Sequence, residues 1–423
     1  MNAIITGIKD AILAVYSSGA SVFLPVIFIL VGLFFRMKFA DALRAGLRAG
    51  IGIAGVGLVT NYMITTLGPV TEYYAAKGSG FTIVDIPWSV SAALPFALPF
   101  AVFLIPAFAI LSLLLVKFKV FKTLQVNIWD YGIPLVVSGF AYVMFDSLVI
   151  AVICAFANFI WGIWLGDLFA KKWSGALGME GTTTSNTTHM SLAGPVCWLI
   201  NKILDHVPGI NKISITPKTI QEKLGIVGEP AVIGLIVGMF MGVITGQNLT
   251  TICAIGMGIS GSMMLIPQVL KIFLEGLGMI TQSAQKWAVK HIGKDAECYI
   301  ACDMAMSIGS PVVITINSIM LPIAVAFALI VPGFSYFPTG LMGGIIYMVG
   351  FCTMYCKEDF LRSLLCSAVY VCFIMALMNY LAPEIGSVYK FLDPSLAGDV
   401  TSGPALDWFT IIMCGIKRFF LGI

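Results

Sequence analysis

Apolar runs of about 20 residues recur along the chain, each closed by a short group of lysines or arginines, and few folds accommodate that pattern. A helix of that length crosses roughly 30 Å of hydrocarbon, so repeated runs describe repeated crossings. Hydrophobic residues fill 59% of the 423 positions and charged residues 11%, against roughly 25% charged in a soluble domain. Strand alternation is absent, which argues against a β-barrel. The expected fold is an all-α polytopic membrane protein, one integral unit over residues 1–423.

The net charge of +3 carries no message about nucleic acid, because the basic residues sit between apolar runs and report topology. The first run, Ala11 to Phe35, is too long for a signal-peptide core and has its basic cluster behind it, so it stays in the mature protein. The ten cysteines are scattered through apolar segments. Cys298/Cys302 and Cys352/Cys356 are each one helical turn apart, but neither pair has histidine or carboxylate company. They read as small packing residues, and no metal or cofactor is expected. GxxxxGK[ST] is absent, which excludes an ATP-driven pump in one chain.

The positive-inside rule orients the spans. Arg36, Lys38, Arg44 and Arg48 place the end of the first run in the cytoplasm and the N-terminus outside. A second span, Gly50 to Leu67, leads to an outer loop with Glu72 and Asp85. Ile86 to Val116 carries prolines at 87, 95, 99 and 106 and reads as a re-entrant hairpin followed by one crossing. Ile133 to Phe169 gives two crossings with Asp146 near the turn, ending at Lys171 and Lys172. After an inner loop with Lys202, Lys212, Lys218 and Lys223, Ala231–Gly246 and Thr250–Ile266 form a hairpin, and Leu270–Ile292 is an amphipathic inner segment. Tyr299 to Val331 is a second broken segment, interrupted at Gly309-Ser310-Pro311. The remainder crosses to Lys357 and Arg362, out to a loop with Glu384, Asp393 and Asp399, and in again to Lys417 and Arg418. The expected topology is N-out, C-in, with about ten crossings and two hairpins.

An internal repeat supports two halves. Leu67-Gly68-Pro69-Val70-Thr71-Glu72 and Leu277-Gly278-Met279-Ile280-Thr281-Gln282 share LGx[VI]T[EQ] at an offset of 210 residues. The first copy lies outside by the lysine count and the second inside. Opposed copies are the mark of inverted structural repeats, whose discontinuous helices meet at a midplane site.

Polar residues within apolar surroundings nominate that site, since ionisable groups at membrane depth are costly. The largest island is Gly178–Pro195, GMEGTTTSNTTHMSLAGP, with Glu180, Ser185, Asn186 and His189. Asp85 and Trp88, in VDIPW, are either an interfacial aspartate with a belt tryptophan or a carboxylate and ring that engage a polyhydroxylated solute. Asn127, Trp129 and Asp130, in VNIWDYG, are either a helix cap or part of the same site. His189 suits hydroxyl ligands. Glu229, before Pro230, is either a helix start or a gating or docking residue. Asp303 is the acid deepest in its apolar run, with Ser307 one turn later.

These residues stand in segments that resemble the galactitol-type enzyme IIC, the membrane permease component of the bacterial phosphotransferase system, in the ascorbate/galactitol superfamily. The resemblance is carried by LGDLFA (Leu165 to Ala170), the GMEG island, HVPGINKI (His206 to Ile213), IQEKLGIVGEP (Ile220 to Pro230), IACDMA and LIVPG (Leu329 to Gly333), and more weakly by VDIPW and VNIWD. It implies inward carriage of a hexitol with phosphorylation by a phosphocysteine on a separate enzyme IIB, itself recharged by enzyme IIA. No soluble IIA or IIB domain is expected on this chain. It implies a homodimer in the bacterial inner membrane, with a scaffold of about 1–67 and 231–297 and an elevator-type moving core of about 68–230 and 298–423. By position the site falls on Asp85, Trp88, Asn127, Asp130, Ser185 to His189, Asp303 and Ser307. Galactitol carriers tend to have Pro-His-Gly near the island's centre. Here Ser185-Asn186-Thr187 stands there instead, so the polyol itself stays open.

Two other classes compete. An ion-coupled secondary transporter would use Asp303 or Glu180 for its proton. An integral membrane enzyme is disfavoured by the three histidines and the lack of a metal-ligand cluster.

Overall fold

The computed structural model describes residues 20–76, 81–86, 91, 98, 100–125, 127–208, 215, 226, 229–291, 297–338, 340–394, 396, 398–403 and 406–421. The first half contains α1 (Ala20–Phe34), α2 (Phe39–Thr66), α3 (Gly68–Ala75), β1 (Ile83–Asp85), α4 (Ala101–Lys117), β2 (Thr123–Gln125), α5 (Ile128–Phe145), α6 (Leu148–Leu177), β3 (Thr182–Thr183) and α7 (Thr187–His206). The second contains α8 (Pro230–Ile244), α9 (Leu249–His291), β4 (Tyr299–Ala301), a 3-10 turn (Met304–Gly309), α10 (Pro311–Ile330), α11 (Ile345–Tyr355), α12 (Phe360–Tyr380), α13 (Ala382–Leu392), β5 (Asp399–Thr401) and α14 (Trp408–Ile416). Among the described residues, Leu148–Ala176, Pro311–Ile330 and Phe360–Tyr380 are long and apolar enough to cross a bilayer, and five shorter apolar helices accompany them. The chain is a helical, multi-pass membrane protein.

The offset of 210 residues extends into backbone geometry. Between α1 and α2, Arg36 N and Met37 N bond to Leu33 O and Gly32 O, both at 2.9 Å. Between α8 and α9, Gly246 N and Gln247 N bond to Val243 O and Gly242 O, both at 3.0 Å. The turning residues are left-handed, Arg36 at φ 61° and Gly246 at φ 67°. Arginine adopts that conformation at a cost of about 1–2 kcal/mol, which glycine escapes. The same helix-turn-helix is therefore imposed by packing on two different sequences. α1 packs along α2, α8 along α9, and α2 against α9.

Five short strands tie the halves together. One parallel sheet has the order β2-β4-β3, with Gln125 opposite Ala301 and Thr183 opposite Ala301. The other pairs β1 with β5 in parallel, Asp85 opposite Thr401, and Ile83 also bridges to Tyr336. Each sheet takes its central strand from one half and its flanking residues from the other, so the halves interlock.

The structure departs from expectation in two places. The span expected at Thr250–Ile266 and the inner segment expected from Leu270 are one continuous helix, α9, Leu249–His291, of 43 residues. The second broken segment does break at Gly309-Ser310-Pro311, where α10 starts on Pro311, but its first arm is β4 and a 3-10 turn. Most of the first hairpin, between Pro87 and Pro99, lies outside the described residues.

The last described helix is fixed at both ends. α14 begins at Asp407, whose carboxylate accepts from Asn158 Nδ2 in α6 at 3.0 Å, and its nine residues extend only about 14 Å. In the π-helical turn that follows, Lys417–Leu421, Arg418 clasps Glu384, Nε to Oε1 at 2.6 Å and Nη2 to Oε2 at 2.7 Å, the guanidinium 4.1 Å above the Tyr380 ring. Tyr380 and Glu384 lie at the end of α12 opposite Arg362. Arg418 is therefore held near the end of α12 that lies opposite Arg362.

Candidate functional site

The strands β2, β4 and β3 run parallel, so the chain leaves all three at one end of the sheet, and there the polar residues gather. Gln125 ends β2. Its backbone N–H donates to Ser112 Oγ at 2.8 Å and its carbonyl accepts from Tyr131 OH at 3.0 Å. Its side-chain Oε1 accepts from Asn127 N at 3.1 Å, and its Nε2 donates to Asp130 Oδ2 at 3.4 Å and to Ser185 Oγ. Ser185 Oγ in turn donates to Asp130 Oδ2 at 2.9 Å, and Asn186 Nδ2 donates to Asp130 Oδ1 at 3.4 Å. Across the cluster, Asn127 Nδ2 donates to Asp303 Oδ2 at 3.3 Å, while Asp303 Oδ1 accepts from Ala305 N at 2.7 Å.

Local helix chemistry explains these placements. Asp130 stands in the first turn of α5, Asn186 is the N-cap of α7 and accepts from His189 N at 3.1 Å, and Asp303 caps the 3-10 turn. Three helical N-termini thus turn their positive ends to one polar cluster. Gln125, Asn127, Asp130 and Ser185 are buried, whereas Asn186 and Asp303 keep some exposure. α6 comes close enough only through glycine. A Cβ on Gly162 would lie 2.8 Å from Ser185 O, and one on Gly166 would lie 2.9 Å from Thr123 Oγ1. Both sit near the middle of the 30-residue α6.

Five of the residues nominated from the sequence, Asn127, Asp130, Ser185, Asn186 and Asp303, are thereby brought together. His189 is attached through the Asn186 cap, but its Nδ1 lies 3.3 Å from Tyr370 OH on α12. Ser307 donates to Met304 O at 2.7 Å and packs against Gly350 of α11. Asp85 belongs to the other sheet, where Oδ2 accepts from Tyr336 OH at 2.8 Å and Leu341 N at 2.7 Å. Glu180 and Glu229 are exposed, Glu229 at the N-cap position of α8. Trp88 and the Trp129 side chain lie outside the described residues. Gln125 was not nominated. An uncharged glutamine in TLQVN gives no signal until strand pairing places it.

At the opposite end of the sheet, Lys122 Nζ binds Glu297 Oε2 at 2.8 Å and holds the exposed glutamate below its ordinary range. Asp167 accepts from Lys122 N at 3.0 Å and from Thr123 Oγ1 at 2.7 Å. A separate groove of about 350 Å³ lies between the end of α2 and the start of α9, lined by Tyr62, Thr66, Pro69, Thr250 and Ile255. It contains none of the nominated residues, and its chemistry is sparse beside the Asp130 cluster. Among the described residues no group of three His, Cys, Asp or Glu side chains is arranged to hold a metal ion. What the cluster offers is hydrogen bonding: two carboxylates as acceptors, three amides and a hydroxyl with both capacities.

A helical membrane protein with a buried cluster of hydrogen-bonding side chains beside the middle of its longest apolar helix belongs to the class that handles polar solutes within the bilayer. Comparison with known proteins narrows that class. Residues 14–394 match the EIIC-GAT family model, described as the PTS system sugar-specific permease component, and the chain belongs to that family. It is 26% identical over 370 residues to the "Putative permease IIC component" of Escherichia coli (strain K12), covering 87% of this chain and 84% of the relative. It is also 26% identical over 369 residues to the "PTS system galactitol-specific EIIC component" of the same strain, covering 86% of this chain and 80% of that protein.

Proposed function

We propose that the chain is the permease component of a phosphotransferase system for a galactitol-like polyol. In this reading it moves the polyol inward and presents one hydroxyl to the phosphocysteine of a separate enzyme IIB, which enzyme IIA recharges. The observation that carries it is the convergence of Gln125, Asn127, Asp130, Ser185, Asn186 and Asp303 from three distant segments. A polyol is a row of hydroxyls, each both donor and acceptor, and alternating carboxylates and amides match such a row. Because phosphoryl transfer depends largely on positioning, a site without its own nucleophile suffices when the donor arrives on a partner.

The packing of α1, α2, α8 and α9 on one another supports assigning them to a fixed scaffold of a homodimer. The elements around the two interlocked sheets would then be the moving core, and the six-residue repeat at an offset of 210, opposed by the lysine count, supports halves inverted in topology. The test is phosphoenolpyruvate-dependent uptake of labelled galactitol into cells carrying the chain with its IIA and IIB partners. The labelled polyol is expected inside as a phosphate ester. Accumulation of free polyol that an uncoupler abolishes would establish ion-coupled transport instead.

A further inference from the structure

Away from the polar cluster, four thiols gather at the end of the helices that Arg362 marks. Cys356 directly follows α11, Cys366 lies in the second turn of α12, and their sulfurs are 3.6 Å apart. Cys197 of α7 and Cys352, one turn before Cys356, pack against this pair. Asn201, one turn beyond Cys197, donates Nδ2 to Cys197 O at 2.8 Å, and the same amide nitrogen lies 3.4 Å from the Cys356 sulfur and 3.6 Å from that of Cys366. Its Oδ1 accepts from Arg362 Nη1 at 2.9 Å. Cys356 and Cys366 are buried and both are free thiols.

Close packing alone does not call for this arrangement. Alanine or valine would fill a helix junction without drawing a polar amide toward sulfur, a weak acceptor. An amide N–H aimed at sulfur, backed by a guanidinium, favours negative charge there, and the thiolate is the form that attacks peroxides. Two sulfurs 3.6 Å apart are placed to close, by side-chain rotation with backbone adjustment, to a bond of about 2.05 Å.

We propose that Cys356 and Cys366 form a reversible disulfide, with hydrogen peroxide or an organic hydroperoxide as the oxidant. The Cys356 thiolate attacks a peroxide oxygen and the O–O bond breaks. The sulfur becomes a sulfenic acid, and the departing hydroxide or alkoxide takes up the thiol proton as water or alcohol. Cys366 sulfur then attacks the sulfenic sulfur, the S–S bond forms and a second water leaves. Two thiols lose two electrons and the peroxide gains them. The bond ties the end of α11, whose Gly350 receives Ser307, to α12, whose Tyr370 meets His189. It thus joins two helices that flank the polar cluster.

The test uses the full chain in membranes or detergent micelles, treated with hydrogen peroxide, alkylated with N-ethylmaleimide and digested without reduction for mass spectrometry. The expected result is the loss of two alkylatable thiols per chain and a peptide linked through Cys356 and Cys366, both reversed by dithiothreitol. Cys366→Ser should abolish the linked peptide and leave Cys356 as a sulfenic acid that dimedone traps, whereas Cys298→Ser should leave the linkage intact. If peroxide consumes the exposed Cys253 while Cys356 and Cys366 of the unmodified chain stay alkylatable, or if the link joins another pair, the proposal is overturned.

Discussion

Asn127 and Asp303 stand 176 positions apart and meet in the fold, Nδ2 to Oδ2 at 3.3 Å. The contact joins the end of β2 to the end of β4, and so joins one half of the chain to the other at the polar cluster. Asp303 does two jobs there, since its other oxygen caps the following 3-10 turn through Ala305 N.

Asp303→Asn separates those jobs. Asparagine caps as well as aspartate, so the turn should persist while the charge is lost. A hydrogen bond to a charged group contributes about 1.5–3 kcal/mol, which corresponds to roughly 10- to 150-fold in affinity. Equilibrium binding of labelled galactitol to the purified protein should weaken by that amount with little change in melting temperature. Unchanged affinity removes Asp303 from the site.

Gln125→Glu keeps the side-chain shape but replaces the donating Nε2 with an oxygen facing Asp130 Oδ2 and Ser185 Oγ. Buried like charges are destabilising, and Ser185 Oγ, whose one proton already goes to Asp130 Oδ2, cannot serve both carboxylates. Polyol binding should fall more than about tenfold and the melting temperature should drop by several degrees. Normal values for both would remove Gln125 from the centre of the network.

The sequence made one kind of information readable and hid another. The membrane class follows from apolar runs, and the two halves from a six-residue repeat whose offset returns in the turns at Arg36 and Gly246. Asp130 and Asp303 are readable because charge within an apolar run is costly wherever the run folds. Gln125 is not, because its place depends on β2 pairing with β4, a contact between distant segments that leaves no local periodicity. Asp85 is as readable by its charge, but only the fold shows that one of its oxygens is held by Tyr336 and Leu341 of the other half. At the C-terminal end, Lys417 and Arg418 read as a basic cluster, and only the fold shows that Arg418 is held by the buried Glu384.

Tyr336→Phe removes the hydroxyl that donates to Asp85 at 2.8 Å. If that bond holds the β1 and β5 sheet against the segment before α11, the protein should lose about 1.5–3 kcal/mol of stability with galactitol affinity unchanged. A selective loss of affinity would instead place Asp85 among the ligands.

Gly162→Ala forces a methyl to within 2.8 Å of Ser185 O and 2.9 Å of Thr187 Cγ2. Overpacking of this kind costs about 1–3 kcal/mol, and here the strain falls on the loop that carries Ser185 and Asn186. Both the melting temperature and polyol affinity should fall. Gly175→Ala, in the same helix with open space around the added methyl, is the control and should be neutral or slightly stabilising.

The Arg418–Glu384 ion pair makes a prediction about sidedness. α12 is 21 residues long, about 32 Å of helix, and separates Lys357 at one end from Tyr380 and Glu384 at the other. Arg418 is bonded to the second end, so Lys357 and Phe419 should face opposite sides of the membrane. The measurement is labelling of Lys357→Cys and Phe419→Cys by a membrane-impermeant maleimide, in a chain whose exposed Cys253 is replaced by serine. By the positive-inside rule, Lys357→Cys should react only in inside-out vesicles and Phe419→Cys only in intact cells. Labelling of both from the same side would mean that α14 crosses after all, and that Arg418 does not hold Glu384 in the membrane.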